Sequence, residues 1–192
     1  MKKILMFIMT MIFSLSVLAN PSTIRPAIQE NMEAIKVLLS SKQFTEESDE
    51  LYVLLDTELE DIVDYYTFGR KILGKHARRM SDDEIRDFAD ITKQKLFRLY
   101  IGIALDQPEF QYEIKQVMVH TRNDKLARVN INISDKPYHV IYYMLKGKDD
   151  TWKIYNVAAE GINFGMLLRD QFNDLVSATR NLKLAIVEWQ KI

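Results

Sequence analysis

The chain has 192 residues, 47% of them hydrophobic, with 26 basic against 27 acidic side chains and no cysteine. A net charge near zero argues against nucleic acid as the main partner. The lack of cysteine excludes disulfides, thiolate metal sites, a cysteine nucleophile and a lipidated N-terminal cysteine.

Lys2 and Lys3 precede a mostly apolar run from Ile4 to Leu18, and Val17 and Ala19 supply the small residues read at a signal-peptidase site. The pattern predicts a cleaved signal peptide over residues 1–19 and an exported chain of about 170 residues, enough for one domain with a substantial core. Loss of the two lysines leaves 24 basic against 27 acidic residues, a formal charge of −3. Export without an acyl anchor or a disulfide fits a Gram-negative periplasm. With 6 glycines and 4 prolines, and no repeat or low-complexity tract, residues 20–192 offer no linker at which to divide.

Two amphipathic helices are predicted first. Ile28, Met32, Ile35, Leu38 and Leu39 recur at helical spacing over Pro26 to Ser41, and Leu51, Leu54, Leu55, Leu59, Ile62 and Val63 do so over Thr45 to Tyr65. A shorter helix, Tyr66 to Leu73, should end at Gly74, a residue that readily takes the left-handed conformation. Ser81-Asp82-Asp83-Glu84 is a capping box, from which a helix should run to about Leu105. Its first half carries one apolar stripe through Ile85, Phe88 and Ile91, whereas Leu96 to Leu105 is apolar nearly all round and so must be buried on more than one side.

After Pro108 the period falls to 2, with candidate strands at Gln111 to His120, Lys125 to Ile133, Tyr138 to Lys146 and Thr151 to Val157. Short turns at Asn123-Asp124, Asp135-Lys136-Pro137 and Gly147 to Asp150 make an antiparallel meander of four strands the simplest topology. The second strand alternates, with Val129, Ile131 and Ile133 facing one way and Arg128, Asn130 and Asn132 the other. In the third, Val140, Tyr142 and Met144 oppose Ile141, Tyr143 and Leu145, a strand that needs cover on both faces. Helices return over Ile162 to Val176 and Thr179 to Lys191. The fold class is α+β, helices packed on a curved four-stranded antiparallel sheet.

Trp152, Tyr155, Glu160, Gly161, Arg169, Gln171 and Phe172 form a strand with a Trp-x-x-Tyr core, a Glu-Gly pair and an Arg-x-Gln-Phe helix. A second block joins the Leu73-Gly74 helix end, a basic segment through Arg78, the Ser81 cap and a long helix carrying Phe88 and Leu99-Tyr100. In this order, behind a signal peptide, the two blocks resemble the MlaC (toluene-tolerance) family of periplasmic phospholipid-binding proteins over nearly the whole mature chain. Asn156, Asn163, Leu168 and Ala77 stand where that family usually has aspartate, serine, tyrosine and tryptophan.

The resemblance implies an NTF2-like fold enclosing an apolar cavity for a phospholipid's acyl chains, with the head group near solvent. It further implies a monomer that shuttles lipid between an outer-membrane lipoprotein-porin complex and an inner-membrane ABC transporter with its substrate-binding subunit, maintaining outer-membrane lipid asymmetry. No cofactor and no nucleic acid enter that scheme.

Burying acyl chain is worth about 0.8 kcal/mol per CH₂, so two chains of about 15 carbons need an interior worth on the order of 20 kcal/mol. The candidate lipid-binding residues are Phe68, Ile72, Leu73, Phe88, Leu96, Leu99, Tyr100, Ile103, Val129, Ile131, Ile141, Tyr143, Phe164, Leu167, Leu168 and Phe172. Aromatics and leucines at such spacing serve equally as plain core, and spacing does not separate wall from core. Arg70, Lys71, Lys75, Arg78 and Arg79 gather at a helix end, where cations are favourable; they could meet phosphate head groups or an acidic partner, or simply be solvated. Glu160 and Arg169 are a candidate structural ion pair, and Trp152 a core anchor.

Catalysis has little to stand on. His76, His120 and His139 show no short metal-ligand spacing, and no Gly-x-Ser-x-Gly, Walker loop or paired Gly-rich fingerprint occurs. The alternatives to a lipid carrier are a small periplasmic hydrolase or isomerase using His120 or His139 as base, and an exported adaptor with a filled core.

Overall fold

The computed structural model describes residues 23–41, 49–105, 110–133 and 138–191, and of the helical residues 41 and 98–105 the backbone alone. The predicted signal peptide and the Asp135-Lys136-Pro137 turn lie outside the described residues. The chain runs α1 (Ile24–Ser41), α2 (Asp49–Glu60), α3 (Tyr65–Leu73), a 3-10 turn (Gly74–Arg79) and α4 (Asp82–Leu105). Five strands follow, β1 (Tyr112–His120), β2 (Asn123–Ile133), β3 (Tyr138–Lys146), β4 (Trp152–Ala159) and β5 (Ile162–Asn163), then α5 (Phe164–Thr179) and α6 (Leu182–Lys191).

The sheet is antiparallel in the order β1-β2-β3-β4-β5. It thus has five strands where the sequence predicts four. The extra strand begins where a helix was expected at Ile162. Glu160 and Gly161 both adopt positive φ, 49° and 79°, and form a two-residue turn that folds Ile162 back onto Ala159. Tight turns of this kind match the twist of the flanking strands and require a left-handed backbone, which glycine supplies at little cost. Glu160 does not reach for Arg169, as the sequence suggested, but accepts a hydrogen bond from the His139 amide.

Asn163 then starts α5. Its Oδ1 accepts the Met166 amide at 3.0 Å and the Asn156 side-chain amide at 2.9 Å, while Asn156 Oδ1 accepts the amides of Val157 and Gly165. The two asparagines therefore close one polar unit that joins β4 to the helix N-terminus. Asn163→Ala is expected to cost about 1–2 kcal/mol in urea or thermal unfolding, because it removes the cap and leaves the Asn156 amide without its acceptor. Asn163→Ser, which can still cap, should lose far less; equal losses in both variants would contradict the capping role.

Two helix boundaries also differ from the periodicity. The apolar pattern over Thr45 to Tyr65 is broken after Glu60, because Ile62 O accepts Ile154 N at 2.7 Å and Asp64 N donates to Ile154 O at 2.8 Å. Sheet hydrogen bonds on the free edge of β4 outcompete continuation of the helix. Asp64 then caps α3 through the Thr67 amide at 2.8 Å. The stretch predicted as one helix from Thr179 begins at Leu182, since Arg180 takes φ 53° and Asn181 Oδ1 accepts the Leu184 amide. The first hairpin turns at Thr121-Arg122, with His120 paired to Asn123, and not at Asn123-Asp124 as the sequence suggests, whereas the Ser81 and Glu84 side chains exchange the two hydrogen bonds of a capping box and Gly74 ends α3 at φ 55°, as expected.

Candidate functional site

Register decides which strand residues share a face. Val129 pairs with Val117 on one side and Tyr142 on the other, Ile131 with Ile114 and Val140, and Tyr142 with Val157. These residues form the inner face, buried against Ile28, Met32 and Leu39 of α1, Leu51 and Leu55 of α2, Phe97 of α4 and Phe164. The predicted residues Val129 and Ile131 are 0% exposed at its centre. An apolar face this broad, spanning four strands under three helices, is the largest hydrophobic surface the described residues bring together.

Ile141 and Tyr143 do not belong to it. They pair with Asn130 and Arg128 and so lie on the outer face, half-buried, with the Arg128 guanidinium 5.3 Å above the Tyr143 ring and Tyr155 at 6.5 Å. β3 is apolar on both sides because the helices cover one face fully and the other in part. The sequence alone shows both stripes without showing which is which.

Most helical candidates form a second cluster. Phe68, Ile72, Leu73, Phe88, Leu96, Leu168 and Phe172 pack together with Ala185 and Trp189 of α6. Phe88 and Phe172 meet edge to face at 4.8 Å, Phe172 and Trp189 at 5.6 Å, and Trp189 Nε1 donates to Thr92 Oγ1 at 3.2 Å. The cluster is closed and its polar atoms are paired, as in ordinary protein core. α4 serves both clusters: Leu96 enters the second and its neighbour Phe97 the first. Leu99, Tyr100 and Ile103 lie further along α4, where the side chains are outside the described set. Leu167 is 41% exposed and joins neither cluster.

Polar atoms within the inner layer are few, and three are poorly matched. Among the described residues, Tyr65 Oη and Trp152 Nε1 are buried without a hydrogen-bond partner. Tyr142 Oη has the Met32 sulfur, 3.7 Å away, as its acceptor, and burial pushes its pKa up to about 12. Burial also raises the pKa of Tyr65, with the charges of Asp56 and Glu60 adding to the effect. All these groups are therefore neutral donors at physiological pH.

The basic candidates Arg70, Lys71, Lys75, Arg78 and Arg79 are exposed on α3 and the 3-10 turn. The Lys71 amine sits 4.6 Å above the Tyr155 ring, beside Tyr143 on the outer side of the sheet. His120 and His139 are exposed at strand ends, His120 Nδ1 accepting the Arg122 amide. His76 stands edge-on to Phe172 at 6.3 Å, its pKa lowered by burial and then by Lys75. No group of three metal-capable side chains occurs, and no helix is long and apolar enough to cross a membrane, among the described residues.

A closed helical core beside an apolar sheet face under helices defines an α+β protein. Known proteins place it further: the family model described as MlaC protein matches residues 29–191, and the chain belongs to that family. The toluene tolerance protein Ttg2D of Pseudomonas putida is 26% identical over 148 residues, 74% of this chain and 66% of that protein, a little under two thirds of its length. A phospholipid-binding protein from Ralstonia solanacearum, solved in complex with a phospholipid, shares the fold with a TM-score of 0.75 and 15% identity, over 86% of this chain and 96% of its own.

Proposed function

We propose that this protein is a periplasmic phospholipid carrier that holds acyl chains between the inner sheet face and α1, α2 and α4, without catalysis or cofactor. The observation that carries the reading is the inner face itself. Its central side chains, Val129, Ile131 and Met144, are all 0% exposed beneath the helices, in a member of the MlaC family whose fold matches that of a phospholipid-bound protein. Of the candidate lipid-binding residues, Val129, Ile131 and Phe164 form this wall.

Lipid taken up here would pass between an outer-membrane lipoprotein-porin complex and an inner-membrane ABC transporter. Arg70, Lys71, Lys75, Arg78 and Arg79 then serve as the docking surface for an acidic partner, since Lys71 rests against the outer sheet face, away from the acyl chains. The Lys2-Lys3 start, the apolar run behind it and Ala19 support export.

Protein produced in a bacterial periplasm and purified without detergent is expected to carry phospholipid, seen by native mass spectrometry and by thin-layer chromatography of an organic extract. Preparations that are repeatedly lipid-free, with a well-packed interior, would replace the carrier by the adaptor reading. Turnover of a periplasmic metabolite that is lost in His120→Ala or His139→Ala, with lipid content unchanged, would replace it by an enzyme.

A further inference from the structure

The two tryptophans are chemically unlike. Trp189 is 1% exposed with its indole N–H bonded to Thr92, as a core tryptophan should be. Trp152 is 7% exposed, and its indole N–H has no partner. It belongs to the inner layer, being two residues from Ile154, which pairs with Met144. The second partnerless donor, Tyr65 Oη, lies on the neighbouring segment, since Ile154 exchanges backbone hydrogen bonds with Ile62 and Asp64 and Tyr65 follows directly. Tyr65 packs edge-on against Phe97 at 6.1 Å within the same layer.

Position adds to this. Trp152 is the first residue of β4, next to the exposed turn 147–151, so it stands at the rim of the inner face and not at its centre. Across the strand pair is Lys146, whose side chain is 9% exposed and whose amine is 2.6 Å from Asp150. The Trp152 indole N–H and the Lys146 amine lie at this end, whereas Val129 and Ile131 at the middle offer only hydrocarbon. Buried donors that find no acceptor are costly, and protein interiors rarely keep them without a use.

We propose that Trp152 Nε1 and Tyr65 Oη are the polar anchors of the bound lipid, donating hydrogen bonds to acceptor oxygens where its head group meets its chains. This rests on the phospholipid reading and adds to it a fixed end-to-end orientation, with the chains running from β4's first residue toward the middle of the sheet. The acceptor is an oxygen of the phosphate or of the glycerol esters, and either satisfies both donors.

The test uses the indole N–H resonances of ¹⁵N-labelled protein, assigned with Trp189→Phe, in delipidated samples and after loading with a diester phosphatidylglycerol or its diether analogue. Native mass spectrometry of the same samples reports occupancy. Loading is expected to move the Trp152 indole proton downfield and leave that of Trp189 in place. A shift kept with the diether assigns the phosphate, and one lost with it assigns an ester carbonyl. Occupied protein in which Trp152 does not move overturns the anchor and leaves the carrier intact; protein that takes up neither lipid overturns both.

Tyr65→Phe supplies an independent arm. Delipidated, the variant should unfold at the same temperature as the parent or higher, because a partnerless buried hydroxyl has been removed. Combined with Trp152→Phe it should weaken phospholipid uptake about tenfold, the loss expected for two modest hydrogen bonds. A drop in the delipidated melting temperature of Tyr65→Phe would mean the hydroxyl is satisfied by the protein, and the anchor would fall.

Discussion

Phe172→Ala is expected to destabilise the fold by about 3–5 kcal/mol, the usual cost of emptying a closed aromatic site, and to leave lipid bound per folded molecule unchanged. Phe172 is 0% exposed, with Phe88, Trp189 and His76 around its ring at 4.8, 5.6 and 6.3 Å. Against a total stability of about 5–15 kcal/mol for a domain, the loss should be plain in urea unfolding. The point is the second readout: Phe172 resembles a lipid-contacting residue by sequence, yet it packs among α3, α4, α5 and α6, apart from the inner sheet face. A variant that kept its stability and lost its lipid would show that the second cluster is a wall, and would move the binding site out of the sheet.

That separation into two clusters is what the sequence could not display. The strands were readable because period 2 is a local property, as in Val129, Ile131 and Ile133, and the capping box at Ser81 is written in four consecutive residues. Assigning Leu96 and Phe97 to different clusters depends on where α6 and the sheet lie around α4, which no window of sequence contains. Ile141 and Tyr143 were ambiguous for a related reason, since both stripes of β3 are apolar. Pairing with β2 resolves them: Arg128 and Asn130 sit opposite, and a fixed hairpin register carries β2's clear alternation across. The break between α2 and α3 was hidden because Ile62 and Val63 continue a helical stripe while their backbone serves β4. The Glu160-Gly161 pair is plain in the sequence, but not that it returns a strand. The partnerless N–H of Trp152 is invisible before folding, being a statement about what does not surround it.

Val129→Trp is the substitution expected to act on lipid most strongly. Val129 lies between Val117 and Tyr142 at the middle of the inner face, with no exposed surface. In solid core, added bulk of this size costs about 1–3 kcal/mol of stability. In an interior that opens around acyl chains, the indole occupies space the lipid would use and is itself buried favourably. Excluding only two methylenes forfeits about 1.6 kcal/mol of lipid burial, more than tenfold in affinity at about 1.4 kcal/mol per decade. The expected result is a delipidated protein that melts at or above the parent temperature yet takes up less than a tenth of the phospholipid. Val117→Trp, at a half-buried position on the same face, should repeat the loss with less risk to folding. The opposite pattern, in which both variants are destabilised while uptake per folded molecule stays at the parent level, would identify the inner layer as plain core. The acyl chains would then have to lie elsewhere in the fold.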